Sequence, residues 1–277
     1  MQKSRLAVGL SAIVMVGVLA ACSSTPAETP TSEDTSTAID IEVSTVNEGQ
    51  LTFATTGAIA PYTFTGVDGT LSGYDVEICN EIAARLGLEP NPQVVAFNQT
   101  IAGVQAGQYD MVCSGTAVTP ERAASTDFYM SDPTAVDGTT ALVRDDSDFE
   151  SIEDLRGANL GGGTGAAQQG YVSDALDGDI TITEFTGNGQ SFLALKNKQI
   201  DAVAVQVLVG LYNVAQDSSL RLIMPPVVKT NQATVVSRTQ DGLIDGVNAS
   251  IAAMFEDGTI AKLQEKYFGE ELETPTK

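Results

Sequence analysis

Arg122 stands in the first turn of a short predicted helix, and a cation there has a specific chemical use. The stretch Asp110–Phe128 reads DMVCSGTAVTPERAASTDF: an apolar strand, Met111–Cys113, runs into Ser114-Gly115-Thr116, and a helix is expected from about Pro120. Thr119 suits the N-cap, because its hydroxyl accepts a free N–H of the first turn, and Pro120 suits the first helical position, where its missing N–H costs nothing. That turn already carries partial positive charge, so Arg122 destabilises the isolated helix slightly and wants an anion opposite. A ligand carboxylate, gripped by the planar guanidinium and neighbouring N–H groups, would serve. The other reading is a surface arginine paired with Glu121 or Asp127, of the weak kind common on proteins.

A second anion-binding pattern is Gly161-Gly162-Gly163-Thr164-Gly165, ahead of a predicted helix over Ala166–Leu176. As a phosphate loop it fails. No Gly-Lys-Ser/Thr follows, the dinucleotide fingerprint is met only in its final-Ala form through Gly161, Gly163 and Ala166, and no basic residue between Arg156 and Lys196 can face a pyrophosphate. The same physics suits a smaller anion, with the N–H groups of Thr164, Gly165 and Ala166 presented at a helix start. Two helix starts from two blocks of chain, aimed at one carboxylate, describe a ligand held between two lobes.

Composition narrows the chemistry further. The chain has no histidine, which excludes Ser-His-Asp and Cys-His catalysis and histidine metal sites. Asp145-Asp146-Ser147-Asp148 lacks the glycine and terminal Glu of a calcium loop, so no metal and no cofactor is expected. With 14 Lys+Arg against 36 Asp+Glu, a net charge of -22, the surface repels phosphate backbones, and nucleic acid is not an expected partner. Lys3, Arg5 and the apolar run Leu6–Val18 read as an export signal. It ends in Leu19-Ala20-Ala21-Cys22, similar to a bacterial lipobox, so residues 1–22 are expected to be a lipoprotein signal with Cys22 the lipidated residue. Residues 23–48, rich in Ser, Thr, Pro, Glu and Asp, read as a disordered tether. Of the remaining cysteines, Cys79 falls on the inward face of a predicted helix and Cys113 ends the strand it should cover; a disulfide and two buried thiols are both open.

The elements that position these residues alternate. Gln50–Thr55 is a strand, Thr56–Tyr62 a loop, Thr63–Val67 extended, and Asp68-Gly69 a turn. Helices are expected over Tyr74–Leu86 and Asn98–Gln105, then the Arg122 stretch follows. Thr139–Arg144 is a strand after Asp137-Gly138, where one lobe could end. The second block repeats the alternation: strands Thr181–Phe185 and Ile200–Val205, helices Gln190–Lys196 and Val207–Ala215, and an extended Leu222–Val236 that suits a crossing segment. Helices close the chain near Leu243–Phe255 and Thr259–Tyr267. The pattern implies mainly parallel sheets covered on both faces, an α/β protein.

Taken together, Ala60-Pro61-Tyr62, Gly73-Tyr74-Asp75-Val76, Phe97, Gly107-Gln-Tyr-Asp110, Thr119-Pro-Glu-Arg122, Leu155-Arg-Gly157, Gly163-Thr-Gly165, Gln199-Ile-Asp201-Ala202 and the run Asp257–Gly269 resemble the bacterial extracellular solute-binding proteins of the polar amino-acid uptake type, family 3. The order and spacing of these motifs over Gln50–Gly269 carry the resemblance. It implies a type II periplasmic-binding-protein fold: two doubly wound lobes joined by two crossing strands. Lobe 1 would hold 49–135 plus 232–277 and lobe 2 would hold 136–231, with hinges near 134–139 and 225–234. It also implies that Arg122 pairs with a ligand α-carboxylate, helped by the N–H groups of Ala117 and Gly165. The Gly115 carbonyl would accept from the α-ammonium, Phe97 would cover the ligand's aliphatic part, and the loop Thr56–Ile59 would line the side-chain pocket.

Four departures bear on the ligand. Ala117 stands where the family usually has Ser or Thr, and Ile59 where an aromatic is common. Thr56 replaces the Asp of binders of basic amino acids. Gln206 replaces the Asp that neutralises the ligand ammonium, so either another acid substitutes or the ligand is not an ordinary α-amino acid. The expectation is a monomeric, membrane-tethered receptor on the extracytoplasmic face that passes a small carboxylate-bearing solute, a polar or neutral amino acid or a derivative, to an ABC importer. The competing readings are an exported enzyme resembling cyclohexadienyl dehydratases, which would need a general acid or base in the cleft, and the ligand-sensing partner of a signalling receptor, since no span or signalling module follows Phe268-Gly269.

Overall fold

The computed structural model describes residues 37–276, and two sheets organise them. The first orders its strands Glu89–Val94, Gln50–Thr55, Met111–Val112, Val235–Ser237, Phe128–Met130; the first three are parallel and Val235–Ser237 is antiparallel to both its neighbours. The second orders Thr181–Phe185, Asn159–Gly163, Ala202–Gln206, Ala135–Arg144, Leu220–Leu222, parallel through the first three and antiparallel beyond. Parallel neighbours require crossovers, and helices supply them. A small antiparallel meander, Ala58–Ile59, Thr63–Thr65 and Leu71–Ser72, follows the first strand.

Apolar residues on both faces explain the double cover. In the first sheet, Leu51, Phe53 and Met111 pack against Ile78 and Ile82 of helix Tyr74–Arg85 and Val247 and Ile251 of helix Leu243–Glu256. The other face holds Val104, Val112, Phe128 and Val235. In the second sheet alternation does the sorting: Ala141, Val143, Ala202 and Ala204 meet Val172 and Leu176, while Leu142, Val203 and Val205 meet Ala194 and Leu195. Cys79 and Cys113 are bonded with Cα atoms 6.4 Å apart, tying the helix Tyr74–Arg85 to its strand.

Four stretches differ from the sequence reading. The strand expected over Thr139–Arg144 starts earlier, at Ala135, and runs through Asp137-Gly138. The Asp137 carboxylate accepts from Gly138 N–H (2.6 Å), Tyr62 Oη (2.8 Å) and Leu208 N–H (3.3 Å), and a Cβ on Gly138 would stand 3.0 Å from Pro226. Tertiary partners satisfy the groups that make Asp-Gly a turn elsewhere. Val228–Gln232 pairs with this strand from Thr139 back to Ala135, so the two crossing segments are hydrogen-bonded to each other.

The strand Glu89–Val94 escaped the sequence reading because of Pro90 and Pro92. It is an edge strand, and prolines two residues apart put both missing N–H groups on the open side. The glycine run is not a loop: Gly161–Gly163 lie inside the strand Asn159–Gly163. A Cβ on Gly161 would meet Ile200 at 2.4 Å and one on Gly162 would meet Gln169 at 2.4 Å, so these glycines let a helix and a neighbouring strand approach closely. Finally, the tether reading fails for residues 39–46. Ile39 N–H donates to Arg85 O (2.8 Å), Ser44 N–H to Asp241 O (2.9 Å) and Val46 N–H to Asp110 Oδ1 (2.7 Å), and Val43 joins the core. Ile39, Ile41 and Val43 alternate with Asp40 and Glu42, which gives this stretch one apolar face to dock. The export signal, Cys22 and the earlier part of the tether lie outside the described residues.

Candidate functional site

Parallel strands present their carboxyl ends to ligands, and here the ends of both sheets face one cavity of about 170 Å³. Thr56 follows the strand Gln50–Thr55, Gly115 follows Met111–Val112, Gly163 ends Asn159–Gly163 and Gln206 ends Ala202–Gln206; all four line it. Five of the nine candidate ligand-binding residues are lining residues: Thr56, Ile59, Phe97, Gly115 and Gln206. Ala117, Arg122, Thr164 and Gly165 stand beside it, not on it.

The end near Arg122 is cationic. Thr119 Oγ1 caps the helix Pro120–Ala123 by accepting Arg122 N–H at 3.2 Å, as its position predicts. The guanidinium spans the two lobes: Nη1 donates to Ala117 O (2.9 Å), Nη2 donates to Gly165 O (3.1 Å), and Cζ lies 5.9 Å from the centre of the Phe97 ring. Among the described residues no carboxylate lies within ion-pair distance, so the surface pair with Glu121 or Asp127 does not form. Burial lowers the Arg122 pKa, yet a guanidinium stays charged.

The N–H groups expected around it are fewer than the sequence suggests. Ala123 and Ala124 N–H donate within the short helix, to Thr119 O (2.8 Å) and Pro120 O (3.0 Å). Thr164 N–H donates to Phe185 O (2.8 Å) and Ala166 N–H to Gly163 O (3.0 Å), and the following helix begins only at Gln168. Ala117 N–H and Gly165 N–H are the two that keep no acceptor among the described residues. Gly165 has φ +81°, a left-handed turn that suits glycine.

The opposite end is neutral at its surface. Gln206 Nε2 donates to Gly115 O (3.1 Å) and to Gln232 Oε1 (3.0 Å), and Gln232 Nε2 donates to Thr230 Oγ1 (3.1 Å). The carbonyl expected to receive a ligand ammonium is therefore already shared with a protein amide. Behind this wall lie two buried carboxylates. Asp75 accepts Gly115 N–H, and burial pushes its pKa to about 7; Asp137 is pushed by burial to about 6. Tyr62 sits between them, donating to Asp137 and packed against Gly115, whose φ of +58° and close ring contact both call for glycine.

Sequence reasoning missed Gln168, Thr186 and Asn188 on the lobe 2 wall, and Gln232, which orients Gln206. Thr186-Gly187-Asn188 was legible in principle, since it directly follows the carboxyl end of the strand Thr181–Phe185. Gln168 and Gln232 carry no local signal.

Two doubly wound α/β lobes joined by crossing strands, with a cavity between them, are the type II periplasmic-binding-protein fold. The chain belongs to the bacterial extracellular solute-binding proteins, family 3, matching over residues 51–270. It is 26% identical over 227 residues to the L-cystine-binding protein TcyJ of Escherichia coli (strain K12), covering 81% of this chain and 84% of that one. The P235GK mutant of ArgBP from T. maritima superposes with a TM-score of 0.75 at 28% identity, over 80% of this chain and 96% of that chain. The ancestral amino acid-binding protein AncCDT-1, a precursor of cyclohexadienyl dehydratase, superposes with a TM-score of 0.71 at 25% identity, over 79% and 95%.

Proposed function

We propose that this chain is the solute-capturing component of an ABC importer, held outside the membrane by a lipid on Cys22, and that it binds a small carboxylate-bearing solute of the amino-acid size class between lobes 49–135 plus 232–277 and 136–231. One observation carries the reading. A guanidinium with no carboxylate partner among the described residues stands with two N–H groups, Ala117 and Gly165, that find no acceptor among them either, at the junction of the lobes. A ligand carboxylate is a stronger acceptor than the two carbonyls Arg122 now holds, and taking it up joins lobe 1 to lobe 2. Closure around the ligand would create the surface a permease reads, through a ligand-driven population shift. The relatives, named for cystine and arginine binding, support the amino-acid size class. The cavity, similar to the ~150 Å³ that holds a benzene-sized molecule, suits one compact solute.

The dehydratase reading draws on AncCDT-1, but among the described residues the lining offers no Asp, Glu, Lys, Tyr or Cys to act as acid or base. Binding without turnover is the reading we adopt. A thermal-shift screen against amino acids, their derivatives and small organic acids tests it: a ligand at 100 times its Kd stabilises by about 2.7 kcal/mol. At least one carboxylate should raise Tm in the parent protein and lose that effect in Arg122→Ala. Ligand shifts that survive Arg122→Ala would sink the site assignment. Metabolic labelling with a fatty acid, lost in Cys22→Ser, checks the anchor.

A further inference from the structure

We propose that the solute carries a single negative charge and, where an α-amino acid carries its ammonium, an uncharged hydrogen-bond donor: a hydroxyl or an amide N–H. The inference rests on the receptor reading above and names its ligand class. Gln206 is the first support. Both donors of its amide are engaged, one by Gly115 O at 3.1 Å and one by Gln232 Oε1 at 3.0 Å. A backbone carbonyl only accepts, so the nitrogen of Gln206 must face Gly115 and the orientation of the amide is determined. Its oxygen is the end left over, on a residue that lines the cavity, with no hydrogen-bond partner among the described residues. The nitrogen end of the cleft therefore offers a fixed neutral acceptor.

The rest of the lining agrees. Its polar side chains are Thr56, Gln168, Thr186, Asn188 and Gln206, and among the described residues none of the lining side chains is charged. Gln168 is only 7% exposed and its amide makes no hydrogen bond to the described residues, which leaves it to meet the solute. The acids near enough to replace the missing anion are turned to other partners. Asp75 holds Gly115 N–H, and Asp137 holds Tyr62 Oη, Gly138 N–H and Leu208 N–H; neither lines the cavity. Burial also raises Asp75 to about 7, so it is only partly ionised near neutral pH, and Asp137, raised to about 6, directs its charge at three donors of its own.

Charge balance then decides the class. Arg122 provides one positive charge at one end, and a monoanion satisfies it. A zwitterion adds a second positive charge, buried against a neutral oxygen with no anion in contact, and an uncompensated buried charge is costly. A hydroxyl or amide N–H donates to Gln206 Oε1 and carries no such penalty.

Matched probes test this on the full chain solubilised in detergent. Calorimetric titration compares L-alanine with L-lactate, L-serine with L-glycerate, and L-glutamine with N-acetyl-L-glutamine and L-pyroglutamate. In at least one set the hydroxy or N-acyl acid should bind tenfold or more tightly than its amino acid, and Gln206→Asp should reverse that order. Equal or tighter binding of the amino acid in every set overturns the proposal, while the receptor reading stands if Arg122→Ala removes that binding. An unchanged order in Gln206→Asp overturns the assignment to Gln206. No binding by any probe overturns both readings. The parent comparison is decisive by itself should the variant not fold.

Discussion

At one end of the cleft Arg122 brings a full charge that has no counter-ion among the described residues, resting on the carbonyls of Ala117 and Gly165. At the other end Gln206 brings a neutral amide locked by Gly115 O and Gln232. Each group donates two hydrogen bonds of similar length, so the ends differ in charge and burial. The half-buried guanidinium is charged and can exchange its carbonyls for a ligand, whereas the buried amide is neutral and presents one atom in one orientation. The same contrast extends behind the wall. Among the described residues no acid compensates Arg122 within ion-pair distance, and Asp75 and Asp137 are buried just beyond Gly115 and Gln206 without an arginine or lysine partner. A recognition charge is kept ready, and the structural acids are kept out of the cavity.

The largest expected effect falls on the cationic end. Arg122→Ala should cost about 3–5 kcal/mol of ligand affinity by calorimetry while leaving the unfolding midpoint of the ligand-free chain nearly unchanged. An affinity loss below tenfold would make the two ends equivalent and break the contrast. A smaller effect concerns the acid behind the neutral end. Asp75 titrates near 7 in the folded chain against an ordinary 3.8, so the folded state holds this proton more tightly than the unfolded one. Its contribution to stability is full below about pH 4 and is lost as pH rises through about 7. Asp75→Asn keeps an acceptor for Gly115 N–H and removes the titration. It should be more stable than the parent by about 2–3 kcal/mol at pH 8 and close to it at pH 4, as chemical denaturation at the two pH values would measure. A parallel shift at both pH values would mean that burial does not set this group's charge. The smallest effect on affinity is Gln232→Ala, which frees one donor of Gln206 and should weaken binding by about 1 kcal/mol, with a separate cost in stability because the truncated side chain is buried. An effect as large as that of Arg122→Ala would show that the neutral end, not the cation, dominates recognition.

Much of this was legible along the chain. Thr119-Pro120 announces the turn that carries Arg122, because capping and proline geometry are local. The helix at Tyr74 follows from apolar spacing, and the helices expected near Tyr74, Leu243 and Thr259 have observed bounds within a residue or two. Other features misled because their chemistry is settled by distant partners. Asp137-Gly138 reads as a break before Thr139 until Tyr62 and Leu208 occupy the carboxylate, and Gly161–Gly163 look like an anion loop until Ile200 and Gln169 are seen to press on them. Thr164 and Ala166 lose their N–H groups to Phe185 O and Gly163 O, bonds that no spacing rule foretells.

The sequence by itself determined the alternation of strands and helices, the cation at a capped turn, the loss of an acid at Gln206 and, through the order of its motifs, the family. Periodicity, caps and residue identity are properties of neighbours along the chain, and neighbours suffice to read them. Only the tertiary structure decided which N–H groups stay free for a ligand, that Cys79 and Cys113 are bonded, and which way the Gln206 amide points. Those outcomes depend on partners such as Gln232, 26 residues from Gln206, and Gly115, 91 residues away, and a hydrogen bond is fixed by distance in space.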